Sequence, residues 1–200
     1  MNRIAIDVVL LPDETMTARA VQANADLVRR CSSAIVLHPE TCLPHVSLAM
    51  ACIERSAVEP LRQALEPIGQ ACPVGELVVT GVVTSLNSRG EPVSVFALAK
   101  TKAIQTLHEQ VMEAIPPHCN GDVTAEMIHG DEDVAETTLA WIRNFKEKAA
   151  FGAYFPHITI GYGTVAEPMT FPMPFTAPRL AVCHLGNHCT CREGLAQLTL

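Results

Sequence analysis

A short pattern occurs twice in this chain, once in each half: Pro44-His45-Val46-Ser47-Leu48 and Pro156-His157-Ile158-Thr159-Ile160. Each copy sits in an apolar, β-branched run that reads as a short strand opened by its proline. Side chains alternate across a strand, so His45 and Ser47 are expected on one face, about 6.5–7 Å apart, with Val46, Leu48 and Met50 on the other. His157 and Thr159 divide from Ile158, Ile160 and Tyr162 in the same way. Two strands therefore each offer an imidazole and a hydroxyl on one face and an apolar surface behind. A fold that brings them together gathers two acid/base groups and two hydroxyl donors in one small volume.

The rest of the chain supplies a setting for two such strands. Arg3 to Leu11 reads as a buried strand ended by Pro12, and Asp13 can cap a helix running to about Arg30. The first motif strand spans roughly residues 43–53. Ser56 begins a second helix with Leu61, Leu65 and Ile68 at helical spacing and Pro67 near its end. Strands over 77–84 and 93–99 are joined through the turn Asn87-Ser88-Arg89-Gly90. A third helix covers 101–115 and closes at Pro116-Pro117, and a fourth covers 133–148. After the second motif strand, the proline-rich stretch from Pro168 to Pro178 reads as an extended loop, and 179–186 and 194–200 read as closing strands. Strand, helix and motif strand recur in both halves. The expectation is an α+β fold in which residues 1–200 form a single domain of two pseudo-equivalent lobes. This is a bilobal duplicated fold, with two mixed, mostly antiparallel sheets facing a central cleft and helices outside.

Composition narrows the class of function. With 200 residues, 48% of them hydrophobic, the chain can bury a substantial core. No apolar run approaches the roughly 18 residues of a membrane span, and the first residues do not read as a secretion signal, so a cytoplasmic location is expected. The eight cysteines are then read as reduced thiols, mostly small buried hydrophobes. A net charge of −7 without any run of Lys or Arg argues against an extended nucleic-acid surface, because affinity for a long backbone comes largely from phosphate neutralisation. The balance suits a small phosphorylated nucleotide or an RNA end, with no membrane partner and a monomeric chain.

Histidine titrates near neutrality, so a pair can hold one neutral and one protonated imidazole. That is what phosphodiester cleavage asks of a site: a base to activate a hydroxyl or water and an acid to protonate the leaving oxygen. Ser47 and Thr159 could donate hydrogen bonds to the phosphate oxygens as charge builds. No metal is needed for this chemistry and no cofactor is expected. A single His-x-Ser/Thr is weak evidence, as the third instance His188-Cys189-Thr190 illustrates. Two copies in matched strand contexts, each behind a proline, are a stronger signal.

The paired motifs resemble those of the two-histidine (2H) phosphoesterase superfamily, the LigT-like proteins that include 2′,5′ RNA ligases and cyclic nucleotide phosphodiesterases. The opening strand ending in Leu11-Pro12 is also similar, and the resemblance covers most of the chain. It implies that His45 and His157 are the catalytic pair and that Ser47 and Thr159 contact phosphate. The expected activity is a metal-independent phosphodiesterase acting on a cyclic or 2′,5′ phosphodiester of a nucleotide or RNA end. The alternatives are a non-catalytic nucleotide- or RNA-binding module of the same fold, or a zinc-binding protein using His184, His188, Cys189 and Cys191. The wide spacing between motifs leaves room for the fourth helix, and the His184 to Cys191 segment lies outside the two-motif signature.

Aromatic residues flank the second motif. Phe155 shares the parity of His157 and is the better placed to stack on a base; Tyr154 and Tyr162 have core packing as the competing reading. Trp141, Ile142 and Phe145 read as an apolar stripe. Arg89, Arg143, Lys146 and Lys148 could steer a phosphate, with solvated surface charge as the default. Asp131, Glu132 and Asp133 read as the start of the fourth helix.

Overall fold

The computed structural model describes residues 3–115, 123–130 and 133–200. Its strands, in chain order, are β1 (Arg3–Leu11), β2 (Val46–Glu54), β3 (Glu76–Leu86), β4 (Pro92–Leu98), β5 (His157–Tyr162), β6 (Met173–Thr176), β7 (Arg179–Gly186) and β8 (Thr190–Thr199). The helices are α1 (Glu14–Arg30), α2 (Val58–Ala71), α3 (Lys102–Ala114) and α4 (Glu136–Ala149). The chain is α+β as expected, but the strands form one 8-stranded sheet in the order β6-β3-β4-β5-β2-β1-β7-β8 rather than two sheets. The named strands pair antiparallel throughout. The two motif strands are the central ones, joined by a single registered pair, Val46 opposite Ile158.

One face of this sheet is the main core. Ile4, Ile6, Val8 and Leu10 of β1 join Val46 and Leu48 of β2 and Ile158 and Ile160 of β5. They are covered by Met16, Ala20, Ala23 and Leu27 of α1, Leu61 and Leu65 of α2, and Ile104, Leu107 and Val111 of α3. Each large side chain so buried stabilises the fold by roughly 1.5–3 kcal/mol. The spacing of those α1 residues is the helical period that places them on one stripe. Asp13 begins that helix by accepting from the Met16 N–H at 2.9 Å, and its other oxygen accepts from Thr176 at the end of β6. Burial would raise the Asp13 carboxyl, but these hydrogen bonds outweigh it and hold it below the usual carboxylate range. Where β5 ends, Gly163 has φ +112 and a side chain there would meet the Cys31 sulfur at 2.5 Å, so glycine lets α1 lie close against the strand.

The other face carries the motifs' polar side chains, and α4 covers part of it. Ile142 and Phe145 of α4 pack with Ala5, Met50 and Cys52, whereas Trp141 is 41% exposed and does not belong to the expected stripe. The proline-rich stretch is not all loop: Met173–Thr176 forms the edge strand β6 against β3, with Pro174 tolerated because an edge strand has an unpaired side. Pro116-Pro117 and Asp131-Glu132 lie outside the described residues, and α4 begins at Glu136 rather than 133. No described helix is long and apolar enough to cross a membrane.

Candidate active site

Both motifs end in a β-bulge. Along β1, Val8 faces Ala49 but Val9 faces Ser47, so Leu48 is the extra residue. Along β4, Val95 faces Thr159 but Ser94 faces Gly161, so Ile160 is the extra residue. A bulge shifts the alternation of faces downstream of it. Met50, expected behind the strand with Val46 and Leu48, therefore lies on the opposite face beside α4. Tyr162, expected to point away with Ile158 and Ile160, keeps its ring partly against the main core. Its hydroxyl nevertheless reaches His188 Nδ1 at 3.0 Å.

The Val46–Ile158 register sets His45 across from Thr159 and Ser47 across from His157, with the two imidazoles as diagonal neighbours. The two histidines are held alike. His45 Nδ1 lies 2.7 Å from the Leu43 carbonyl and His157 Nδ1 lies 2.7 Å from the Phe155 carbonyl, in each case two residues back. A carbonyl only accepts, so Nδ1 carries the proton in both rings and Nε2 is left with its lone pair. Burial pushes His45 down to about 4, opposed by the Leu43 carbonyl and helped by the positive charge of His157 when protonated. Burial lowers His157 as well, opposed by the Phe155 carbonyl. Phe155, 47% exposed, stacks on the His157 ring with centroids 5.4 Å apart and planes at 24°.

Asp7 is a site residue that sequence reasoning passed over. It is fully buried on β1, and its Oδ2 accepts from Ser47 Oγ at 2.6 Å and stands 3.7 Å from His45 Nε2. Its Oδ1 has no hydrogen-bond partner. Burial raises its carboxyl well above the usual range, although the Ser47 hydroxyl and the Ala49 backbone oppose this. Burial thus favours the neutral form of each group and works against an Asp7–His45 salt bridge. The signal was present in the sequence as the one acidic residue of β1, set among apolar residues after Arg3 at its start.

A pocket at the motif junction is lined by His45 and Thr159, by Ile35, Leu37, Cys42 and Leu43 of the segment before β2, and by His188, Cys189 and Thr190. The third His-x-Thr thus reaches the pocket. His188 and Cys189 both have positive φ, 58° and 55°, a conformation that non-glycine residues hold only when their surroundings impose it. Asn187 does so: its Oδ1 accepts from Ala135 N, Thr138 Oγ1 and His188 N, and its Nδ2 donates to the Asp133 carbonyl. The pocket's other wall is fixed by Asn24, buried in α1, which donates to the carbonyls of Ile35 and Ile160 and accepts from the Leu37 N–H. The positive charge of Arg192 acts on Cys42, one of the pocket's lining residues, and opposes the rise that burial gives its thiol. By contrast, Arg89 and Arg143 pair loosely with Glu91 and Glu136 at 3.9 Å.

Other expected site residues have structural roles. Tyr154 is buried, donates to the Ser47 carbonyl at 3.1 Å and stacks on His108 with centroids 3.9 Å apart. His184, His188, Cys189 and Cys191 do not gather into one metal centre: His184 groups with His129 and Glu193, and Cys191 with Asp7 and His45. Burial pushes the Cys189 and Cys191 thiols up, away from the thiolate that a redox role needs.

No protein-family model matches the chain, and no curated protein matches it in sequence. Among solved structures it is similar to E. coli LigT in its apo form, at 12% identity and a TM-score of 0.48, over 100% of this chain and 99% of that one. It is also similar to a structure described as a phosphoesterase, at 11% identity and a TM-score of 0.43, over 100% of this chain and 99% of that one.

Proposed function

We propose that the protein is a two-histidine phosphoesterase acting without a metal on a cyclic or 2′,5′ phosphodiester of a nucleotide or RNA end. The observation that carries this reading is the matched pair of imidazoles on adjacent central strands, each with Nδ1 committed to a backbone carbonyl and Nε2 left for proton transfer. A general base needs a lone pair aimed by a fixed tautomer, and both rings supply it.

In hydrolysis the two rings divide the roles of acid and base. Like charge disfavours a second proton on the pair, so it carries one, which this reading places on His157. The face of Phe155 supports the imidazolium by a cation–π contact. His45 is then the base. Water attacks phosphorus and yields its proton to His45 Nε2, the bond from phosphorus to the ribose oxygen breaks, and that oxygen takes the proton from His157 Nε2. The product is a phosphomonoester beside a free hydroxyl, and proton exchange with solvent restores both rings. An anionic substrate between the rings supplies the negative charge that keeps His157 protonated near neutral pH.

In this reading Thr159 donates to a non-bridging phosphate oxygen. Ser47 donates to Asp7 in the free protein, so it meets the phosphate only if Asp7 holds a proton and donates to Ser47 Oγ in turn, a state its burial favours. Arg192 adds the positive charge that acts on Cys42 of the pocket lining.

The test is turnover of 2′,3′-cyclic nucleotides and 2′,5′-linked oligonucleotides in the presence of chelator, by the wild type and by His45→Ala and His157→Ala. Each substitution should lower kcat by at least about 100-fold while circular dichroism stays unchanged. Binding of these ligands by the wild type without any product would instead identify a non-catalytic nucleotide-binding module.

A further inference from the structure

We infer that His129, His184 and Glu193 form a divalent cation site of the zinc type, separate from the catalytic pocket, which fastens the segment 123–130 to the β7–β8 pair. Each of the three residues offers one ligand atom, and these atoms all lie within 4.8 Å of one another. None of the three lines the pocket that holds His45 and Thr159.

The argument starts from His184. It is directly opposite Glu193 in the β7–β8 register, so the two side chains are cross-strand neighbours. Its Nε2 lies 3.0 Å from the Met127 carbonyl, which only accepts, so Nε2 carries the ring proton. The Nδ1 atom is buried without any hydrogen-bond partner, on a side chain only 9% exposed. It faces Glu193 Oε2 at 3.6 Å, too long for a hydrogen bond. A buried nitrogen lone pair and a carboxylate oxygen at this spacing repel unless a proton or a metal cation sits between them. Two atoms on one tetrahedral zinc, with bonds of about 2.0–2.1 Å, stand about 3.3 Å apart, so this pair needs only a small closure and the ligand atom of His129, within 4.8 Å of both, needs a larger one. A ligating imidazole that gives its other N–H to a backbone carbonyl is the usual supporting arrangement of a metal-bound histidine.

His129 completes the set. Its N–H donates to the Leu185 carbonyl at 2.7 Å, which docks segment 123–130 on the end of β7. Its ring meets that of His184 edge to face at 5.2 Å. Two imidazoles and one carboxylate suit zinc, with water in the fourth position. Arg55 also reaches Glu193, at 3.4 Å from each oxygen. Both partners are more than 40% exposed, so that pair contributes little and yields to a bound cation.

The test uses the full chain stripped with chelator and titrated with Zn2+ alone, followed by calorimetry and thermal unfolding, and with Co2+ followed by visible absorption. The wild type should bind one Zn2+. At a free concentration of about 100 times the dissociation constant, its melting temperature should rise by roughly 5–10 °C. Glu193→Gln and His129→Ala change partly exposed positions, leave the apo fold intact, and should each weaken binding at least about 10-fold. Arg55→Ala should bind as tightly as the wild type or tighter. Bound Co2+ should show d–d bands without thiolate charge transfer. Absence of Zn2+ binding, equal binding by wild type and Glu193→Gln, or a thiolate signature would each overturn the site.

Discussion

Acidification should destabilise the fold through His45, and Glu or Asp titration alone cannot produce the same pattern. The ordinary imidazole value of 6.5 falls to about 4 in the native state because the ring is buried, with a side chain only 11% exposed. A depressed histidine contributes stability above its unfolded value and loses it as pH falls, because the unfolded chain takes the proton first. Between 6.5 and 4, stability should drop by about 1.4 kcal/mol per pH unit, about 3 kcal/mol in all, and flatten once the native ring also protonates. Burial lowers His157 and His108 in the same sense. Asp7, raised by burial, acts oppositely: its contribution is complete at low pH and is lost as pH rises through its native value. The difference between wild type and His45→Gln removes these shared contributions to first order. Urea unfolding followed by circular dichroism from about pH 7.5 to 4 should show the wild type losing about 3 kcal/mol more than the variant. Parallel curves would refute the reasoning, for they would mean that His45 takes a proton in the native state near its ordinary value, as it would beside an ionised Asp7.

Two further outcomes concern residues outside the motifs. Asn24→Ala strands the carbonyls of Ile35 and Ile160 and the Leu37 N–H; with each buried orphan worth roughly 1–3 kcal/mol, stability in urea should fall by about 3 kcal/mol or more, and a loss below about 1 kcal/mol would show that the pocket wall does not depend on it. Arg192→Gln removes the positive charge that acts on Cys42 and should raise KM for an anionic substrate about 10-fold with kcat nearly unchanged, a shift worth about 1.4 kcal/mol; an unchanged KM would remove Arg192 from the site.

How much the sequence disclosed depends on which interactions are local. The face division of His45 and Ser47 from Val46 and Leu48 is a two-residue period inside one strand and was legible. So was the Asp13 cap, since capping joins residues three apart. The single sheet was not, because duplicated strand–helix–strand order is equally consistent with two sheets, and the decision rests on one long-range pair, Val46 with Ile158. The edge strand β6 was hidden by Pro174, which an edge position tolerates, and by the prolines on either side of it. Asp7 was visible as the one acidic residue of β1, but its partners Ser47 and His45 are far along the chain. The group formed by His129, His184 and Glu193 depends on the β7–β8 register and on a docked segment, neither of which composition reveals.

The bulges give the fourth position of each motif a physical meaning. In a regular strand, Leu48 and Ala49 would point to opposite faces. With Leu48 as the extra residue, both are buried in the main core. The same holds the second motif strand down at Ile160, whose successor Gly161 has φ +150 and would set a side chain 3.0 Å from Asn24. An apolar residue is therefore required at the fourth position for the sake of the sheet, and only the first and third are free to serve the pocket. The bulge also adds local twist and redirects the chain beyond it, which is how the Tyr162 hydroxyl comes to His188. One local irregularity, made twice, both anchors the histidine strands to the core and turns the chain beyond β5 toward the pocket. Replacing Ile160 by a polar residue should therefore disturb the geometry of His157 and Thr159 before it disturbs any contact with substrate.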